Sequence, residues 1–96
     1  MADRSAIENT LASWAFGYDN RAKALHKTGQ DIRALSDAND AVRLGPKVAG
    51  FASTRGAIFE KLGRRGPAII DYRTALGLDP TDQRANDGLK RLGAKP

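Results

Sequence analysis

Cysteine is absent from this 96-residue chain, which removes disulfide cross-links and thiolate chemistry together and fits a reducing compartment. Only one histidine is present, His26, with no nucleophile and no metal-ligand spacing beside it. Its acid/base partners would have to be Asp19 or Glu60, and on a lysine-rich helix face it reads as a solvated side chain. No enzyme is expected, with no catalytic residue, no metal and no cofactor. No run of roughly 18 apolar residues could cross a bilayer, and no basic start followed by an apolar core resembles a signal peptide. Cytoplasm is the default expectation, without a membrane partner. Aromatic residues make up 6% of the chain and do not interleave with its basic residues, which disfavours a stacking platform for nucleic acid.

The 41% of residues that are hydrophobic are regularly spaced, enough for one modest core and against disorder. Residues 15–48 and 49–82 repeat one 34-residue pattern without a gap. The matches include Arg21 with Arg55, Lys27 with Lys61, Gly29 with Gly63, Ala34 with Ala68, Ala41 with Ala75, Leu44 with Leu78 and Pro46 with Pro80. A period of this length is that of a helix-turn-helix solenoid unit. Spacing gives the same helices. Tyr18, Ala22 and Leu25 form one stripe of a 3.6-residue period that Gly29 stops, and Ile32, Leu35, Ala38, Ala41 and Val42 form a second that Gly45 and Pro46 end. The second copy repeats this with Phe51, Ala52, Ile58, Phe59 and Leu62, then Ala68, Ile69, Tyr72, Ala75 and Leu76. Pro67 falls near a helix start, where a missing N–H does no harm.

The two copies resemble the tetratricopeptide repeat. The residues that carry the likeness are Tyr18, Arg21, Ala22 and Leu25 with Ala52, Arg55, Gly56 and Phe59, the turn glycines Gly29 and Gly63, the small Ala34 and Ala68, and Ala38 or Tyr72 in the aromatic slot. Closing signals are Leu44, Gly45 and Pro46 or Leu78, Asp79 and Pro80. Departures are Gly45, where an acidic residue is usual, and Arg65, where an aromatic is usual. The resemblance implies an all-α, right-handed α-α superhelix of two helix-turn-helix repeats acting as a protein-interaction module. It places a partner groove at Phe16, Asp19, Lys23, His26 and Lys27, and at Gly50, Ser53, Ala57, Glu60 and Lys61. Some members hold a carboxylate with lysine and asparagine at fixed offsets. Here Asp19 and Ser53 stand where lysine would help, and Lys23 and Ala57 where asparagine is expected, so that clamp is not supported.

The whole chain reads as one domain: an N-terminal helical extension over 1–14, repeats at 15–48 and 49–82, a capping helix over 83–92 and a loose tail at 93–96. Thr81 or Asp82 can cap the last helix, whose Ala85, Leu89 and Leu92 share a face, and Gly88 weakens it by up to about 1 kcal/mol relative to alanine. Ser5 and Glu8 have capping-box spacing. Ile7, Leu11 and Trp14 then run in phase into the stripe of Tyr18, Ala22 and Leu25, favouring one long helix over residues 5–28 that leaves these three uncovered. The alternative is a short helix folding back as a partial repeat, with Trp14 in the core. Uncovered, Ile7, Leu11 and Trp14 form a self-association patch, giving a homodimer as the rival to peptide binding.

The net charge of +5 divides as −1 over residues 1–14, +2 and +1 over the repeats and +3 over residues 83–96. This is a mild excess concentrated at the end, and nucleic-acid binding through the basic tail is only a minor alternative. Lys23, Lys27 and Lys61 make the groove mildly basic, which favours an acidic protein segment or a terminal carboxylate. Asp37 and Asp40, near Arg33 and Arg43, read as exposed ion pairs on an outer helix face, each under about 1 kcal/mol.

Overall fold

Three glycines in the left-handed region end helices in the same way. The computed structural model describes residues 4–96, so residues 1–3 of the expected extension lie outside the described residues. At Gly29 (φ 80°), Gly63 (φ 75°) and Gly93 (φ 65°) the chain turns back. The following residue donates its N–H to a carbonyl five positions earlier: Gln30 to Leu25 (2.8 Å), Arg64 to Phe59 (2.9 Å) and Ala94 to Leu89 (2.9 Å). These bonds satisfy carbonyls that a helix end leaves bare, and glycine takes that φ without a Cβ penalty.

The helices so delimited are α1 (Arg4–Lys27), α2 (Asp31–Leu44), α3 (Ala49–Lys61), α4 (Arg65–Leu78) and α5 (Gln83–Arg91), with no strand among the described residues. The tight glycine turns fold α1 on α2 and α3 on α4 as hairpins. Pro46 and Pro80 lie in exposed turns between the hairpins. α2 then packs on α3, and α4 on α5, giving the all-α superhelix expected from the 34-residue period. α1 is one unbroken helix. It is already under way at Arg4, so Ser5 is inside it, and Glu8 accepts from Arg4 Nε (3.1 Å) instead of closing a capping box. At α5 the expected cap is made by Asp82, whose Oδ1 accepts from the Ala85 N–H at 2.9 Å.

Small residues let the backbones nest. Ala22, Ala34 and Ala38 pack with Ile58, and Ala15 and Ala41 with Phe51. A Cβ on Gly45 would come within 2.7 Å of the Phe51 ring, which is why glycine replaces the usual acidic residue there. The third cluster surrounds Tyr72, whose ring is fully buried between α3 and α5. A Cβ on Gly56 would lie 2.8 Å from that ring, and one on Gly88 would overlap it. Gly88 is thus a packing requirement of α5 and not simply its weak point.

Each hairpin carries a two-pronged ion pair at the same register. Arg21 donates from Nε and Nη2 to Asp37 (both 2.7 Å), and Arg55 donates likewise to Asp71 (2.8 and 2.9 Å). This corrects the reading of Asp37 as an exposed carboxylate: it is 6% exposed and faces α1, not Arg33 or Arg43. Asp40 does pair on its own helix, with Arg43 at 3.2 Å. The C-terminal residues 93–96, expected to be loose, are held. Arg73 Nε donates to the Lys95 carbonyl (2.9 Å), and Arg65 Nη2 donates to the Leu92 carbonyl (2.7 Å) at the end of α5. Arg65, where the resemblance leads one to expect an aromatic, thus supplies a hydrogen bond to a helix-end carbonyl.

Candidate peptide-binding face

α3 touches both α1 and α5, and the side chains these three helices present enclose two adjoining hollows. Lys23, His26, Lys27, Lys61 and Arg84 line one of about 440 Å³, and His26, Ala57, Glu60, Lys61 and Arg91 line one of about 340 Å³. The structure therefore brings together six of the residues singled out in the sequence and adds two arginines of α5.

The charges in these hollows differ in how far they are committed. Lys23 Nζ lies 3.1 Å from Asp19 Oδ2. Asp19 itself is 2% exposed, and its Oδ1 has no hydrogen-bond partner among the described residues. Ser53 is buried as well, and its Oγ donates to the Gly50 carbonyl at 3.2 Å. His26 is half-buried, with Nδ1 2.6 Å from Asp31 Oδ1 at the start of α2, so its partner is neither Asp19 nor Glu60 and it is not simply solvated. Arg84 Nη1 donates to Thr54 Oγ1 (3.0 Å). Lys27 and Lys61 are exposed and have no hydrogen-bond or ion-pair partner among the described residues. Phe16 stands apart from both hollows, half-exposed and edge-on to Phe51 with ring centroids 4.9 Å apart.

Glu60 ties the face to the core. Its carboxylate accepts from Arg91 Nε (3.0 Å) and Nη2 (3.1 Å) and from the Tyr72 hydroxyl (2.7 Å). The Arg91 hydrogen bonds hold the Glu60 pKa below its ordinary value, and burial raises that of Tyr72. A depressed carboxylate stabilises the fold fully above its unfolded pKa of about 4.3, and that contribution is lost as pH falls through the folded value. Acid is therefore expected to weaken the tie that Glu60 makes between α3 and α5. Urea midpoints of the natural chain and Glu60→Gln should converge below about pH 4 and separate at pH 7, and parallel curves would refute the linkage.

No family model matches the chain. Among curated proteins, sperm-associated antigen 1 of Homo sapiens is 36% identical over 75 residues, 78% of this chain but 8% of that protein. Hsp70-Hsp90 organizing protein 1 of Glycine max is 31% identical over 77 residues, 80% of this chain and 14% of the relative. The matched region is thus a small part of these relatives. The solved TPR domain of Arabidopsis OM64 superposes with a TM-score of 0.79 at 33% identity, covering 82% of this chain and 65% of that one. The chain belongs to the tetratricopeptide-repeat family.

Register within the repeats explains the two arginines that sequence reasoning left out of the groove. Arg84 stands 34 residues after Gly50 and 68 after Phe16, and Arg91 stands 34 after Ala57 and 68 after Lys23. Both therefore stand, one repeat length on, at the equivalents of positions expected to line the groove. The same shift could have found them, had α5 been read as a repeat helix and not only as a cap with a solvated face.

At the N-terminal end of the repeat array, Ile7 and Trp14 are 50% and 58% exposed and Leu11 is half-buried. α1 is ten residues longer than α2 (24 against 14), so its first turns extend beyond what α2 can cover. Among the described residues no helix is long and apolar enough to cross a membrane, and no group of three or more His, Asp and Glu side chains could hold a metal ion.

Proposed function

We propose that this chain is a non-enzymatic protein-interaction module that docks an acidic peptide segment on the face built from α1, α3 and α5. The observation that carries the reading is the convergence of Lys23, Lys27, Lys61 and Arg84 on one hollow, with Lys27 and Lys61 unpartnered. Ammonium groups held together without counter-charges attract carboxylates, speeding encounter and selecting against basic partners. The Hsp70-Hsp90 organizing proteins among the relatives make a chaperone segment one candidate ligand. Asp19 and Ser53 are buried where a carboxylate clamp would need lysine, so the anion would sit toward Lys27, Lys61 and Arg84.

The test is fluorescence anisotropy with a labelled Asp/Glu-rich peptide ending in a free carboxylate. Lys27→Glu combined with Lys61→Glu is expected to weaken binding by more than tenfold, about 1.4 kcal/mol or more, and added salt to weaken the natural chain. Lys23 is the poorer choice because Asp19 already neutralises it. Affinity that survives both the double substitution and salt would remove this reading.

A further inference from the structure

We infer that the open face of α1 is a self-association surface, closed in solution by α1 of a second copy. The inference is independent of the peptide face and rests on the repeat register. A shift of 34 residues carries Gly17 onto Phe51 of α3, and a further 34 carries it onto Ala85 of α5. Phe51 and Ala85 are buried, Phe51 with Ala41 of α2 and Ala85 with Tyr72 and Ala75 of α4. The same joint on α1 lies open: Trp14 is more than half exposed and Gly17 is exposed. Hollows of about 480 Å³ and 320 Å³ flank Trp14 along this face. What closes the joint elsewhere is an α-helix, so a helix is what fits it here.

That helix is identified by what α1 itself presents. In α2 the buried residues that allow close approach are Ala34, Ala38 and Ala41, spaced by four and three. α1 bears a row of small residues at that spacing, Ala6, Thr10, Ser13 and Gly17, next to a ridge of Ile7, Leu11, Trp14 and Tyr18. One helix thus carries both ridge and groove, and two copies related by a twofold axis can interdigitate. None of these eight residues is charged, so a twofold pairing meets no like-charge contact along the face despite the net +5 of each chain. A partner recognised by charge would find nothing on these eight positions to pair with. Arg21 closes the face at one end, and its Nε and Nη2 are occupied by Asp37. Pairing would also bury the apolar end that each two-repeat stack leaves exposed at Ile7 and Trp14.

Trp14 is the sole tryptophan and reports the contact directly. In sedimentation equilibrium at rising concentration, the mass should climb from 10.3 kDa toward twice that value, with Trp14 emission shifting to the blue over the same range. Gly17→Arg places a charge against its own symmetry mate and should weaken association at least tenfold while helical circular dichroism is kept; Trp14→Ala should do the same. Ile70→Ala, at an exposed apolar residue on α4, should leave the mass unchanged. Lys27→Glu with Lys61→Glu should also leave it unchanged, separating this surface from the peptide face. A chain that stays monomeric with solvent-like emission at millimolar concentration overturns the inference, and so does a dimer indifferent to Gly17→Arg and Trp14→Ala.

Discussion

Replacing Tyr72 with alanine is expected to remove about 3–5 kcal/mol of folding stability, the loss typical of truncating a large buried aromatic. The ring is fully enclosed and touches α3 at Gly56 and α5 at Gly88, neither of which has a side chain that could move into the vacated space. A domain of this size has roughly 5–15 kcal/mol in total, and each kcal/mol lowers its melting temperature by about 4–8 °C. The drop should therefore exceed about 12 °C in a thermal circular-dichroism scan. Tyr72→Phe keeps the ring and leaves Glu60 with Arg91, and should cost only about 1 kcal/mol. Gly88→Ala is a sharper check because two effects predict opposite signs. Helix propensity alone gives a gain of up to about 1 kcal/mol, whereas contact with the Tyr72 ring gives a loss of about 1–3 kcal/mol. A measured gain would show that the ring is not confined at that point.

Arg55→Met should destabilise by about 3 kcal/mol, because it leaves the carboxylate of Asp71 buried with neither of its two guanidinium hydrogen bonds. Arg55 also donates from Nη1 to Asn39 Oδ1 of α2 (3.3 Å), so the change weakens the joint between hairpins as well as the hairpin itself. Adding Asp71→Leu should restore much of the loss, since an apolar pair of similar volume carries no desolvation penalty. Urea titration of the two single variants and the double variant gives the coupling as a double-mutant cycle. Arg21→Met should cost less than Arg55→Met. Arg21 is 65% exposed against 25% for Arg55, and water can reach Asp37 once the guanidinium is gone. Equal losses would mean that burial does not set the strength of these pairs.

Much of this architecture was legible because it is local. The 34-residue period, the glycines at 29 and 63, the prolines at 46 and 80 and the cap at Asp82 each act within a turn or two of themselves, so the residue types alone announce them. Asp37 was misread although two signals were available. It matches Asp71 at a shift of 34, and it stands three residues after Ala34 and four before Ala41, on the buried stripe of α2. An acidic residue on such a stripe calls for a cation from another helix, and Arg21 shares the register. Gly88 could not have been understood the same way. Its reason is the ring of Tyr72, 16 residues earlier and on a different helix.

Composition and periodicity thus dictated the number, order and amphipathic faces of the helices, because glycine, proline, alanine and the apolar stripe act through backbone conformation and nearest-turn packing. Only the tertiary arrangement decided which charges are free to meet a ligand. Lys23, His26 and Glu60 look as available in the sequence as Lys27 and Lys61, yet Asp19, Asp31, Tyr72 and Arg91 engage the first three and leave the last two open. Electrostatic pairing depends on distances of a few ångströms between side chains on different helices, and Glu60 and Arg91 lie 31 residues apart in the chain.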